Sequence, residues 1–221
     1  MLRNLPLSAT GRLRLLIGVT LCSQLLMPTF AMADPAYDAL IIQARNGNFT
    51  PALTQLRQMP AERQTPGQIS DHLVIAGWAG QDAEVLKVYE AQGQNRNLTA
   101  QALATVARTY RNQKQWAQAE AVYRKALLRE PNNVDLQLGL ALTQADGGKA
   151  NEAVQRARAL VAGKPDDPNR RMALGYALTR AGLQYDALHE FDQAFIRAGD
   201  KPEVAREYIV ALQKARLPEP A

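Results

Sequence analysis

The sequence predicts an all-α solenoid built from about five and a half helix pairs. Two observations lead to this prediction: one pattern of large and small apolar residues recurs with a period of about 34 residues, and proline recurs where the pattern begins. The clearest copy covers residues 100–133, with large residues at Val106 and Tyr110 and small residues at Ala107 and Ala119. An alanine-rich globular bundle would explain the composition but not the constant period.

The repeat register extends from this copy in both directions. Toward the C-terminus it begins again at Val134, Pro168 and Pro202, and backwards it begins at Pro66 and then, one residue short of a full period, at Ala33. The first two copies match less well than the later ones. This period, with these apolar, small and turn positions, is typical of the tetratricopeptide (TPR) repeat, a pair of antiparallel helices.

The helix starts follow from local chemistry. Proline comes directly after Thr65, Asp167 and Lys201, at the first position of three registers. Proline suits the first helical turn, where its missing N–H would have no intrahelical partner, and threonine or aspartate before it can cap the free N–H groups. The sequence therefore predicts first helices that begin at residues 66, 100, 168 and 202.

Small residues at repeat positions 8 and 20 predict a close approach of the two helices in a pair. These residues are Ala107, Ala141 and Gly175 at position 8, and Ala119, Ala153 and Ala187 at position 20. A leucine at such a position should overpack the seam at a cost of roughly 1–3 kcal/mol.

The N-terminus differs from the repeats. Three arginines precede an apolar run over residues 15–26, and an A-x-A pattern ends at Ala33. This arrangement predicts a cleaved secretory signal peptide at residues 1–33 and a mature TPR superhelical domain at residues 34–221. The alternative is a retained membrane anchor, although the run is short and is interrupted by polar residues.

Composition excludes several classes of function. The one cysteine, Cys22, lies in the predicted signal peptide, so the mature chain has no disulfide, no cysteine metal ligand and no cysteine nucleophile. Loss of residues 1–33 removes three arginines and no acidic residue, which lowers the net charge from +5 to +2. Nucleic acid is therefore not an expected partner.

Nothing in the sequence indicates catalysis. His72 lies at a packing position, and His189 lies on a second helix more than three repeats away, so the two histidines are not expected to share a metal. The chain has no G-x-S-x-G, H-E-x-x-H or phosphate-binding glycine loop. We therefore predict a protein that is not an enzyme and needs no metal or cofactor.

A binding function is expected on the inner face of the superhelix, formed by positions 2, 5, 9, 12 and 13 of the first helices. The interpretation as an ordinary solvated helix face remains open beside it. The candidate binding residues are Arg108, Arg111, Asn112, Asp135, Asp146, Tyr176, Arg180, Arg206 and Lys214, with Gln101, Leu138, Leu142, Met172 and Glu203 on the same face. This set leans basic.

Two strings are more specific than the TPR pattern. They are A-Y-D-A-L-I-I-Q-A-R-N-G-N at residues 36–48 and W-A-G-Q-D at residues 78–82. With Y-R-N at residues 110–112 and Q-W at residues 115–116, they resemble the periplasmic TPR region of the poly-β-1,6-N-acetyl-D-glucosamine export porin family. The resemblance extends over most of the mature chain.

The resemblance implies a periplasmic location at the outer membrane. In that family a TPR superhelix precedes an outer-membrane β-barrel, and it engages the periplasmic polysaccharide deacetylase and guides the partly deacetylated poly-N-acetylglucosamine. This chain carries no barrel sequence, and its sixth register stops in mid-repeat, so we expect a fragment or an interrupted gene, with a lone capping helix as the alternative. A general periplasmic protein-binding scaffold with no glycan role is the rival function.

Overall fold

The structure is a computed structural model that describes residues 34–199 and 202–214. These residues form eleven α-helices and no β-strand, and none of the helices is long and apolar enough to cross a membrane. The predicted signal peptide and the residues after Lys214 lie outside the described part of the chain. The helices are α1 (Pro35–Arg45), α2 (Thr50–Gln58), α3 (Pro66–Trp78), α4 (Asp82–Val88), α5 (Ala100–Asn112), α6 (Trp116–Leu127), α7 (Val134–Asp146), α8 (Ala150–Gly163), α9 (Pro168–Arg180), α10 (Gln184–Ala198) and α11 (Pro202–Lys214).

The helices pack in the order that a solenoid of helix pairs requires. Each odd-numbered helix from α1 to α9 packs against the even-numbered helix that follows it, and each even-numbered helix packs against the next odd-numbered one. The odd-numbered helices also contact one another from repeat to repeat. The all-α TPR solenoid predicted from the sequence is confirmed.

The predicted helix starts are also confirmed. Helices α3, α5, α9 and α11 begin at residues 66, 100, 168 and 202. Thr65 forms a reciprocal capping box with Gln68, and the Asp167 carboxylate accepts hydrogen bonds from the backbone N–H groups of Asn169 and Arg170. These side-chain caps therefore fix the residues at which α3 and α9 begin.

The seam within each pair is as tight as the small residues suggest. Alanines at positions 8 and 20 are all buried, and Gly175 lies against the ring of Phe191. A Cβ atom built on Gly175 would lie 2.7 Å from Phe191 Cε1, closer than packed carbons tolerate. Glycine at this point is therefore a packing requirement.

The weaker second repeat departs from the ideal helix pair. Helix α4 has seven residues and continues as a π-helical turn over Tyr89–Gly93. The wider turn places Tyr89 edge-on to Tyr110, with ring centroids 6.2 Å apart. The copy nevertheless keeps the full 34-residue period, because the next first helix begins at Ala100.

A buried polar network joins repeats three and four. The Glu120 carboxylate accepts hydrogen bonds from Arg124 at 2.7 Å and from Lys149 at 2.9 Å. Gln144, which is 2% exposed, donates to Glu120 and to Glu152. Burial alone would raise the pKa of Glu120, but the hydrogen bonds from Lys149, Arg124 and Gln144 outweigh it and lower the pKa below its usual value. This network fixes the contact between α6, α7 and α8.

Candidate functional site

The candidate site is a face shared by successive odd-numbered helices, which we call the groove face and define by repeat positions 2, 5, 9 and 13. Position 12 varies: Ala44 and Ala145 are buried there, Arg111 and Thr179 are half-buried, and Gln213 is exposed. The Arg111 side chain reaches Asp146 in the next repeat. The groove face therefore comprises positions 2, 5, 9 and 13, together with Arg111.

Three of the predicted residues meet in one ion-pair ladder across α5, α7 and α9. Asp146 Oδ2 accepts a hydrogen bond from Arg111 Nε at 3.0 Å, and Asp146 Oδ1 lies 2.9 Å from Arg180 Nη2. The Asp146 side chain is 14% exposed, whereas that of Arg180 is 60% exposed. The candidate set leans basic, but Arg111 and Arg180 share one carboxylate, which compensates much of their positive charge.

Arg108 takes a different position. It is exposed on α5 and interacts with the phenol of Tyr123, which reaches the groove face from α6. Burial raises the pKa of Tyr123, and the positive charges of Arg108 and Arg111 oppose this rise. The Tyr123 ring passes beside Gly139, where a Cβ atom would lie 2.5 Å from Cε1. Gly139 of α7 therefore leaves the space that the Tyr123 ring of α6 needs to lie beside Arg108 of α5.

The other predicted residues are less tightly organised. Asn112, Asp135 and Arg206 are exposed on α5, α7 and α11, and the structure does not bring them together. Tyr176 packs edge-on against Phe191, with ring centroids 5.5 Å apart, so part of its ring belongs to the core. Lys214 ends α11, and its side chain lies outside the described part of the structure.

The structure also shows a pocket that the sequence did not single out as a site. It has a volume of about 500 Å³ and lies where α1, α3 and the start of α5 meet. Its lining includes Ile41 and Arg45 from α1, Val74 and Trp78 from α3, and Gln101 from α5, all at groove-face positions. Most of its lining residues lie in the first two repeats, whereas the candidate binding residues predicted from the sequence lie in the last four.

The histidines separate as the sequence indicated. His72 is buried, and its Nε2 lies 2.7 Å from Glu84 Oε1. The hydrogen bond from Arg57, and secondarily that from His72, lower the pKa of Glu84 to about 2 against the opposing effect of burial. Because Glu84 on α4 contacts Arg57 on α2 and His72 on α3, its ionised carboxylate stabilises the packing of three helices. His189 is exposed on α10.

These features define the class of the protein: an all-α solenoid of TPR repeats whose first helices share one face. The profile of the tetratricopeptide repeat family matches residues 110–182. Among solved structures, a tetratricopeptide repeat protein of Parabacteroides merdae has a TM-score of 0.66 at 14% identity, covering 83% of this chain and 75% of that chain. The MamA protein has a TM-score of 0.62 at 15% identity, covering 76% of this chain and 93% of that chain. Likenesses at such low identity concern the fold alone.

A more specific similarity confirms the resemblance drawn from the sequence. The chain is 37% identical to the poly-beta-1,6-N-acetyl-D-glucosamine export protein of Escherichia coli K12, over 88% of this chain. The corresponding protein of Escherichia coli O157:H7 matches equally well. The chain spans only 24% of the length of these relatives. The similarity therefore concerns a TPR portion of an export protein.

Proposed function

We propose that the chain is a non-enzymatic periplasmic TPR module of an exopolysaccharide export system. Its groove face binds the periplasmic polysaccharide deacetylase, the partly deacetylated poly-N-acetylglucosamine, or both, and so directs the polymer to an outer-membrane pore. The observation that carries this proposal is the 37% identity to the export protein over 88% of the chain. The TPR fold supports it, because stacked helix pairs provide an extended binding surface.

The periplasmic location rests on the N-terminal sequence and on the relative. A basic segment, an apolar run and an A-x-A pattern over residues 1–33 are typical of an exported precursor. An export protein for a polysaccharide acts at the cell envelope, which agrees with a periplasmic location. The outer-membrane barrel of the export porin family is part of the same proposal as a partner of this module.

The ionisable groups support binding rather than a reaction. The two carboxylates with the best-developed hydrogen bonding are held by structural contacts: Glu84 by Arg57 of α2, and Glu120 by Arg124 of its own helix and by Lys149 at the start of α8. Asp167 caps a helix. These acids are occupied by structural partners, which is the pattern expected of a scaffold.

The charge of the groove face favours the deacetylase over the polymer for its central part. Arg108 is exposed there on α5, and it would repel a polymer that carries free amines. An acidic protein surface would be attracted to the same arginine. We therefore assign the central groove face to the protein partner.

Charge reversal at Arg108 tests this assignment, because Arg108 takes no part in the ladder around Asp146. We expect Arg108→Glu to weaken deacetylase binding by a few-fold to about tenfold, more at low salt than at high salt. Arg158→Glu is the matched control, since Arg158 is exposed on the second helix α8. Binding of a deacetylated glucosamine polymer should stay the same or strengthen.

The opposite pattern would overturn the assignment. If Arg108→Glu abolishes polymer binding and leaves the deacetylase unaffected, the central groove face belongs to the glycan. If the unmodified protein binds neither ligand in equilibrium titration, the general protein-binding scaffold replaces this proposal.

A further inference from the structure

The pocket between α1, α3 and the start of α5, which we call the amino-terminal pocket, has an apolar wall and a polar end. Ile41, Val74 and Ile75 form the wall. Trp78 closes one side with 41% of its surface exposed, which leaves part of the indole free to contact a ligand. A cavity of about 500 Å³ that combines an apolar wall and an aromatic side with the polar residues Arg45, Ser70, Asp71, Thr99 and Gln101 can hold a ligand that is itself part apolar and part polar.

The polar end is the carboxyl group of Asp71. Tyr37 donates its hydroxyl hydrogen to Asp71 Oδ2 at 2.8 Å. Within residues 34–199 and 202–214 no basic group lies within ion-pair distance of Asp71, and Arg45 acts on it only as a more distant charge. Oδ1 therefore takes part in no ion pair within these residues, although Arg45 lines the same pocket.

Electrostatics at this end of the groove face differ from those at its centre. Burial raises the pKa of Asp71, and the nearby charge of Asp38 raises it further, while the Tyr37 hydrogen bond and Arg45 oppose the rise. Such a shift means that the carboxylate would be stabilised by a positive charge brought close to it. Asp38, Asp71 and Arg45 thus give this end of the groove face a net negative charge. Further along the face, exposed arginines dominate.

We propose that the amino-terminal pocket accepts a lysine side chain from a protein partner, with the methylene stem along Val74 and Trp78 and the ammonium group against Asp71. The proposal rests on the proposed function, in which the groove face binds a protein. It adds to that face one subsite and the type of partner side chain that the subsite binds.

The contacts favour lysine over arginine. A guanidinium group binds a carboxylate best through two parallel hydrogen bonds, which need both oxygens. Tyr37 already uses one of the two acceptor sites of Oδ2, which makes parallel bonding to both oxygens harder and favours a point charge that needs only Oδ1. The lysine stem is apolar over four carbons and can lie along the wall, and the indole face attracts the ammonium group.

The same wall disfavours an amino sugar. A sugar ring would place hydroxyl groups against Ile41 and Val74, which offer no hydrogen-bond partner, so only its other side could bond to Ser70, Thr99 or Gln101. A lysine at this end, together with acidic groups opposite Arg108, would also fix the direction in which a partner segment lies along the groove face.

A nuclear magnetic resonance titration tests the subsite on the whole chain. The probe is a capped pentapeptide with one lysine among four alanines, and the readout is the indole N–H signal of Trp78, assigned with Trp78→Phe. We expect a saturable shift of this signal and a Kd at least about tenfold higher in Asp71→Asn, where the charge is lost but the shape is kept. Asp186→Asn, an exposed aspartate on α10, should leave the Kd unchanged.

Three results would overturn the subsite. The first is equal binding of the peptide with acetylated lysine, and the second is unchanged affinity in Asp71→Asn. The third is a glucosamine oligosaccharide that shifts the Trp78 signal at lower concentration than the peptide, which would give the pocket to the polymer. Each of these can occur while Arg108→Glu still weakens deacetylase binding, so failure of the subsite is distinct from failure of the proposed function.

Discussion

Removing the charge of Asp146 should destabilise the protein by about 1–2 kcal/mol, because this carboxylate joins three consecutive first helices. It contacts Arg111 at 3.0 Å and Arg180 at 2.9 Å. Asparagine keeps the size of the side chain but leaves both guanidinium groups without their counter-ion.

The two contacts should contribute unequally. Arg180 is 60% exposed, so its pair belongs to the surface class, worth about 0.2–1 kcal/mol. Arg111 is 29% exposed and donates a well-formed hydrogen bond to a carboxylate that is 14% exposed, so its share should reach about 1 kcal/mol or slightly more. The sum gives the expected loss, and screening at high salt should reduce it.

Urea unfolding of Asp146→Asn, Arg111→Gln, Arg180→Gln and the two double variants measures these terms as coupling free energies. Asp135→Asn is the control, since Asp135 is exposed on the same helix and should lose only a few tenths of a kcal/mol. A coupling of Asp146 to Arg180 that exceeds its coupling to Arg111, or a loss that does not change with salt, would refute the reasoning.

Three further predictions concern the fold and the maturation of the chain. Gly175→Ala should destabilise the protein in thermal unfolding, because its Cβ atom would lie 2.7 Å from the Phe191 ring; Gly67→Ala, with its nearest atom at 3.8 Å, should be neutral or stabilising. Because the pKa of Glu84 is lowered from 4.5 to about 2, its contribution to stability is present above pH 4.5 and is lost as the pH falls toward 2. Glu84→Gln should therefore flatten the dependence of the melting temperature on pH in that range. If the melting temperature of the variant falls at acid pH as steeply as that of the unmodified protein, ionised Glu84 does not have this stabilising role. Finally, intact-mass measurement of protein recovered from periplasm should give a chain that begins at Asp34; a species that retains residues 1–33 would contradict the signal-peptide prediction.

Much of the fold could be predicted because its determinants are local. Proline at the first helical position and threonine or aspartate before it set the starts of α3 and α9, whatever the rest of the chain does. The alanines and glycine of the seam predict close packing because only small residues allow it. The π-helical turn at Tyr89–Gly93 was not predicted, since a change of hydrogen-bonding pattern within a helix leaves no clear mark on composition.

The candidate site was predicted less completely, because contacts on the groove face depend on side-chain direction. The register placed Arg111, Asp146 and Arg180 on one face, yet nothing in the sequence indicates that one carboxylate lies between two arginines of neighbouring repeats. The amino-terminal pocket was missed for a different reason. Its residues occupy regular positions, but they lie in the two repeats whose pattern is weakest, where Tyr37 and Asp71 interact although they are far apart in the sequence.

Photo-crosslinking in the periplasm tests the central claim, binding of the deacetylase on the groove face, most directly. A photoreactive amino acid is placed at Asn112, which is exposed on the groove face, and in a matched protein at Gln118, which is exposed on the second helix α6. In cells that produce the polymer, irradiation at position 112 should give a covalent adduct with the deacetylase, and irradiation at position 118 should not. Equal adducts at both positions, or an adduct with polysaccharide and no deacetylase at position 112, would contradict the account.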